Sequence, residues 1–230
     1  MENTAFTVLY EDNHLLIVNK SPGILSQGDV SGDASLVDLC KDYIKEKFAK
    51  PGAVFLGLVH RLDRPVSGVV ALARTTKALQ RMNELFRNKE TEKVYWAIVK
   101  NKPPFPEGTL RHWLLKDEKK NKTTAFKNES PGSQYAELDY RVLTSVAGLW
   151  LLEVHPLTGR PHQIRVQLSS MGCPIKGDLK YGDTDPNEDG SICLHAKQLS
   201  FQHPVKKIPV VVKAPLPRMG LWKYFLKLDL

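Results

Sequence analysis

Apolar positions along this chain fall into two periods. Leu15-Leu16-Ile17-Val18 is a continuous apolar run closed by Ser21-Pro22-Gly23, which predicts a buried strand and a turn. From Ser35 to Phe48 the residues Leu36, Leu39, Cys40, Tyr43 and Ile44 form a helical stripe. Ser35 and Asp38 stand at capping-box spacing, so an amphipathic helix is expected there. Thr76 to Phe86 repeats the pattern with Leu79, Met82, Leu85 and Phe86, a stripe that reads as core. Between the two helices, Phe55 to Leu72 reads as strand, loop, strand. Lys93 to Val99 alternates and is rich in β-formers. Residues 134–143 and 149–154 read as a strand pair around Ala147-Gly148. His162 to Met171 reads as a short helix, Leu194 to Phe201 and Ile208 to Val212 as late strands, and Leu221 to Leu228 as a terminal helix. Hairpin-linked strands with scattered helices predict an α+β fold, with a mixed, mainly antiparallel central sheet flanked by helices.

Charge and composition narrow the classes. The 230-residue chain carries a formal charge of +8, which favours a polyanionic partner. Its three cysteines, Cys40, Cys173 and Cys193, are far apart and make no CxxC pair, so a reducing, cytoplasmic setting is expected. The first residues lack a basic stretch followed by an apolar one, and no run of about 18 apolar residues occurs, so no membrane partner is expected. Lys116 to Ser133 is lysine-rich with interspersed acids. It reads either as a solvated hairpin loop or as an RNA-touching one. Asp183 to Gly190 superficially resembles a calcium loop, but its sixth position is Glu188 and its twelfth Leu194. A turn-rich surface loop is expected instead, and neither the histidines nor the cysteines show metal-site spacing.

Two segments concentrate candidate chemistry. His60-Arg61-Leu62-Asp63-Arg64-Pro65 sets an acid between two arginines at the junction of two apolar runs. Charge at such a junction needs partners, and Arg61 and Arg64 would favour ionised Asp63. A carboxylate so held is a nucleophile, a base or a ligand; the same residues also read as a structural ion pair at a strand end. Further on, Thr158-Gly159-Arg160-Pro161-His162-Gln163-Ile164-Arg165 runs from a tight turn into a helix. At 100° per residue His162, Arg165 and Ser169 share one face, with Ile164, Leu168 and Met171 opposite. Such a helix buries one side and offers His162 and Arg165 to a cleft, where Arg165 would reach a carboxylate as a bidentate partner. A surface arginine with a packed stem is the alternative.

Together these segments resemble the RluA-type pseudouridine synthases, which isomerise uridine within RNA. The resemblance begins at Tyr10-Glu11-Asp12-Asn13-His14-Leu15-Leu16-Ile17-Val18-Asn19-Lys20-Ser21-Pro22-Gly23. It continues through the His60–Arg64 block, Lys93-Val94-Tyr95-Trp96-Ala97 and the Thr158–Arg165 block, and closes with Leu194-His195-Ala196 and Phe201-Gln202-His203-Pro204. Pro65-Val66 stands where the family often has Asp-Thr, and Pro161 where Thr is usual; a proline is tolerated in a helix's first turn. The resemblance implies one catalytic domain over residues 1–230 with a central active-site cleft. It implies no S4-like module, no cofactor, no metal and a monomer. Asp63 would be the essential carboxylate, whether by attack at C1′, addition to the ring or abstraction of a ribose proton. Tyr95 would lie against the uracil ring, stacking on it or helping to remove the C5 proton, and Arg165 would pair with Asp63. Arg64 would enter the RNA stack in place of the extruded base, and Leu194 would pack near the base. His60 and His162 would orient neighbours, and Arg61 and Arg160 would contact RNA. The substrate implied is a structured RNA, a tRNA or rRNA stem-loop, with a lean towards tRNA from the Pro65 form. A non-catalytic RNA-binding protein or chaperone on the same fold is the rival reading; a metal-dependent nuclease lacks its carboxylate cluster.

Overall fold

A computed structural model describes residues 5–228. In chain order the elements begin with β1 (Phe6–Glu11), β2 (Leu15–Lys20), α1 (Leu36–Lys47), β3 (Gly57–Leu58), β4 (Ser67–Ala73) and α2 (Thr76–Arg87). They continue with β5 (Thr91–Val99), β6 (Glu107–Asp117), β7 (Lys122–Phe126), β8 (Gln134–Val146) and β9 (Leu149–Pro156). α3 (Gln163–Ser170), β10 (Leu194–Gln202) and β11 (Pro209–Lys213) follow. The fold is α+β with mainly antiparallel strands, as the patterning predicts, and it divides into two compact units.

The first unit comprises the chain up to Glu92 together with Ala196–Pro215. Its strands run in the order β1-β2-β4-β10, with β3 on β4 and β11 on β10. Every residue of β4 is buried, which is why Val69 to Ala73 is continuously apolar and not alternating. Leu15, Ile17, Val69, Ala71, Met82 and Phe201 form the heart of its core. α1 starts where expected. The Ser35 hydroxyl accepts from the Asp38 N–H, and the Asp38 carboxylate accepts from the Ser35 N–H, completing the capping box. α2 is capped by Thr75, whose hydroxyl accepts from the Ala78 N–H. Gly68 has φ +116°, and a Cβ there would collide with the Ala196 backbone. At the edge, buried His203 sits against the Asp12 carboxylate at 2.9 Å while its Nδ1 accepts from the Val205 and Lys206 N–H groups.

The second unit comprises Lys93–His195 and the segment from Leu216. Its strands run β5-β9-β8-β6-β7, antiparallel throughout. Ala147 and Gly148 both take positive φ, 53° and 77°, which makes the tight β8–β9 hairpin turn read from the sequence. α3 lies on one face, where Val166 and Tyr181 pack on Leu114 and Ala136. Gln167 on α3 donates from Nε2 to the Leu110 carbonyl at 2.9 Å, tying helix to sheet. The three cysteines are free and buried, Cys40 in the first unit and Cys173 and Cys193 in the second.

Three expectations need correction. Much of Lys116–Ser133 is not loop: β6 extends to Asp117 and β7 follows after a short turn through Asn121 (φ 43°). The terminal segment forms short 3-10 turns at Gly220–Tyr224 and Leu226–Leu228 in place of an α-helix. Only Trp222 and Phe225 of the described terminal segment are buried, so little apolar packing supports an α-helix there. Pro161 is not in the first turn of α3, because the helix is entered through His162 in the left-handed region (φ 54°).

Candidate active site

Asp63 lies half-buried in the loop between β3 and β4. Leu62 and Val66 anchor this loop in the core, and polar contacts hold its backbone on both sides of the acid. Before it, the buried Ser26 hydroxyl grips the Leu62 backbone. It donates to the Leu62 carbonyl at 2.7 Å and accepts from the Leu62 N–H at 3.0 Å. After it, the Arg64 carbonyl accepts from the Gly23 N–H at 2.8 Å and from Lys20 Nζ at 3.2 Å. The Asp63 carbonyl closes a turn by accepting from the Val66 N–H at 3.0 Å. The Ser21–Gly23 turn at the end of β2 is therefore the partner that fixes the acidic loop.

Lys20 is 0% exposed, a rare place for a lysine. Its ammonium also donates to the Ser21 and Ile24 carbonyls at 3.0 and 2.8 Å, so three carbonyl oxygens replace water. Burial drags its pKa down to about 7; the negative charge of Asp63 pulls it up and Arg64 pushes it down. Lys20 is thus a buried cation that feels the charge of Asp63, one that the motifs did not single out. Arg64 points its guanidinium elsewhere, donating from Nε to the Gly23 carbonyl and pairing with Asp33 at 2.7 Å. Arg61 is exposed. His60 is built into the fold: its Nε2 accepts from the Ala71 N–H, and its ring stacks on Phe86 at 5.1 Å.

In the second unit α3 presents the face that the spacing predicts, and all three of its residues meet Tyr181. The His162 Nδ1 is 2.7 Å from the Tyr181 hydroxyl, the Arg165 guanidinium lies 5.0 Å from the ring centroid, and the Ser169 hydroxyl donates to the Tyr181 carbonyl. The helix is not half-exposed, however: Gln163 through Leu168 are all buried. Arg165 is 6% exposed and makes a bidentate fork onto Asp178, Nε to Oδ2 at 2.7 Å and Nη2 to Oδ1 at 2.9 Å. Two of the guanidinium's five donors are so engaged. The Tyr181 hydroxyl accepts from the buried Thr123 N–H at 2.8 Å, and burial raises its pKa. Arg160 donates from Nε to the Tyr135 carbonyl, and its N–H donates to the Gln163 side chain. Tyr95 is half-buried on β5, opposite Val154, and Leu194 is buried at the start of β10.

Lys20, Ser26, Asp178 and Tyr181 are the supporting residues that the sequence reading missed. Of these only Lys20 left a signal, a lysine ending an apolar run directly before Ser-Pro-Gly.

The family model described as RNA pseudouridylate synthase matches residues 14–170, a span holding Asp63, Tyr95 and Arg165, and the chain belongs to that family. Among curated relatives, the ribosomal large subunit pseudouridine synthase C of Vibrio cholerae is 32% identical over 91% of this chain and 65% of its own length. A mitochondrial pseudouridylate synthase of Xenopus tropicalis is 32% identical over 91% of this chain and 76% of its own. This chain thus spans about two thirds of the length of several curated relatives. Among solved structures, human RNA pseudouridylate synthase domain containing 4 superposes with a TM-score of 0.76 at 28% identity, covering 92% of this chain and 88% of that one.

Proposed function

We propose that this protein is an RNA pseudouridine synthase, isomerising uridine in a structured RNA, with residues 1–230 acting as one catalytic domain. The observation that carries the reading is the two-sided grip on the Asp63 loop, by Ser26 at Leu62 and by Lys20 and Gly23 at Arg64. A surface ion pair needs no such scaffold; a carboxylate that must meet one atom of a nucleotide does. The reaction breaks the C1′–N1 bond of uridine and forms a C1′–C5 bond; the C5 proton leaves and N1 gains one. Asp63 serves as the essential carboxylate. Arg165, oriented by Asp178, pairs with it. Tyr95 stacks on the uracil, and Leu194 packs beside it. Chemistry on C1′ and C5 requires the nucleotide to leave its stack. Arg64 fills the vacated place; its half-exposed pair with Asp33 is worth about 1 kcal/mol or less and is easily released. Arg61 and Arg160 contact phosphates, while His60 and His162 orient their neighbours. The protein acts as a cytoplasmic monomer on a tRNA or rRNA stem-loop, and the relatives named for the large ribosomal subunit favour the latter.

The test is tritium release from RNA containing [5-³H]uridine. Wild-type protein should release label from one position in excess chelator. Asp63→Asn should abolish release while RNA binding persists. Turnover by that variant overturns the mechanism; strand cleavage, or binding without release by the wild type, overturns the activity.

A further inference from the structure

We infer that the outer face of the β7-β6-β8 sheet is a stacking platform for unpaired nucleotides of the RNA substrate, an inference that rests on the RNA activity proposed above. Strand register sets Phe126 opposite Trp113, and Trp113 opposite Tyr135, so three aromatic side chains stand in one row across three strands. The Trp113 and Tyr135 rings meet edge-to-face with centroids 5.7 Å apart. Alternate positions, Leu114 and Ala136, point the other way and are buried beneath α3. The row therefore faces away from the core: Phe126 is 36% exposed, Tyr135 37%, and Trp113 half-buried. The solvent face of an antiparallel sheet is normally polar, and core packing does not explain this row.

The face is rigid. Thr123 on β7 donates from its hydroxyl to the Pro161 carbonyl, and Arg160 donates to the Tyr135 carbonyl. By register Arg111 and Lys122 share the face of the rings, beside the carboxylates of Asp117, Glu137 and Asp139. Arg111, on the same face as Trp113 and two residues away, is 62% exposed in its pair with Glu137. Exposed rings in a row suit unstacked bases, because each base has a π-face, and Arg111 and Lys122 beside the row can meet the linking phosphates. A duplex, whose bases are already stacked, gains nothing from the rings. Register also puts Tyr95 in a row with Val154 and Tyr140, on the face that α3 covers. The platform is thus remote from the stacking role proposed for Tyr95. It contributes to binding the RNA and not to the chemical step.

The experiment pairs photocrosslinking with kinetics, using a substrate stem-loop carrying 5-iodouridine in its loop. Crosslinks are expected on peptides holding Phe126, Trp113 or Tyr135. Tyr135→Ala and Phe126→Ala should each raise KM for the stem-loop about fivefold or more, with kcat and Tm unchanged. Trp113→Phe should retain affinity that Trp113→Ala loses. Affinity for a loop-free duplex of equal length should not change in any variant. Crosslinks confined to other surfaces, unchanged KM, or equal losses on loop and duplex RNA would each overturn the platform; unchanged KM would leave the row to a protein partner. If the wild type crosslinks through these rings yet makes no pseudouridine, the activity fails and the platform stands. If the wild type is active but never crosslinks through them, the platform fails and the activity stands.

Discussion

Replacing Lys20 with methionine separates what the buried ammonium costs from what it positions. Folding drops its pKa from 10.5 to about 7, which at about 1.4 kcal/mol per pH unit sets about 5 kcal/mol against the charged form. Methionine fills the same stem volume and removes that cost. It also withdraws the donor from the Ser21 and Ile24 carbonyls, at about 1–3 kcal/mol each; the Arg64 carbonyl keeps the Gly23 N–H. The two effects nearly cancel at neutral pH, so Lys20→Met should change stability by no more than about 2 kcal/mol. Their pH dependence does not cancel. Between pH 7 and 10.5 the unfolded wild type holds this proton and the folded form does not, so stability rises with pH by up to about 1.4 kcal/mol per unit. Methionine abolishes that gain. Urea unfolding followed by circular dichroism from about pH 7.5 to about 9.5 should show the wild type gaining about 2.5 kcal/mol relative to the variant. In the tritium assay kcat should fall about tenfold or more, because the Asp63 loop loses one of the three residues that grip it. Parallel pH profiles for the two proteins, or an unchanged kcat, would refute the assigned role.

Two further substitutions probe the scaffold. Asp178→Asn removes the charge that the buried Arg165 fork rests on; scanning calorimetry should show a loss of about 3–5 kcal/mol, and kcat should fall with it. Gly68→Ala forces a Cβ into the Ala196 backbone from a positive φ, so the variant should lose several kcal/mol, on the order of 3 or more, or fail to accumulate as folded protein in a solubility screen.

Elements governed by local chemistry were legible in the sequence. α1 follows from its capping box and stripe, and the β8–β9 turn from Ala147-Gly148. β6 and β7 were not, because their hairpin is joined through the lysine-rich stretch 119–122 and its open face carries aromatic and charged residues, so apolar alternation breaks down. The acid, the tyrosine and the arginine proposed for the chemistry stood out through their motifs. Their supports did not, because each acts across distance. Lys20 is buried by carbonyls on two separate loops, Ser26 grips a residue 36 positions away, and Asp178 meets Arg165 from the far side of a turn. Of the flanking arginines, Arg64 also reaches Asp33 and the Gly23 carbonyl, contacts across sequence that its motif does not announce.

The enclosed thiols bear on how the molecule behaves in air and under probes. Burial raises the Cys40 thiol to about 12 and that of Cys193 to about 11, so almost no thiolate is available to oxidants or alkylating reagents while the fold is closed. Labelling must then wait for local opening, and its rate becomes a clock for breathing. Cys40 times one unit, and Cys173 and Cys193 time the other, so a ligand that stills either unit can be followed without adding a reporter.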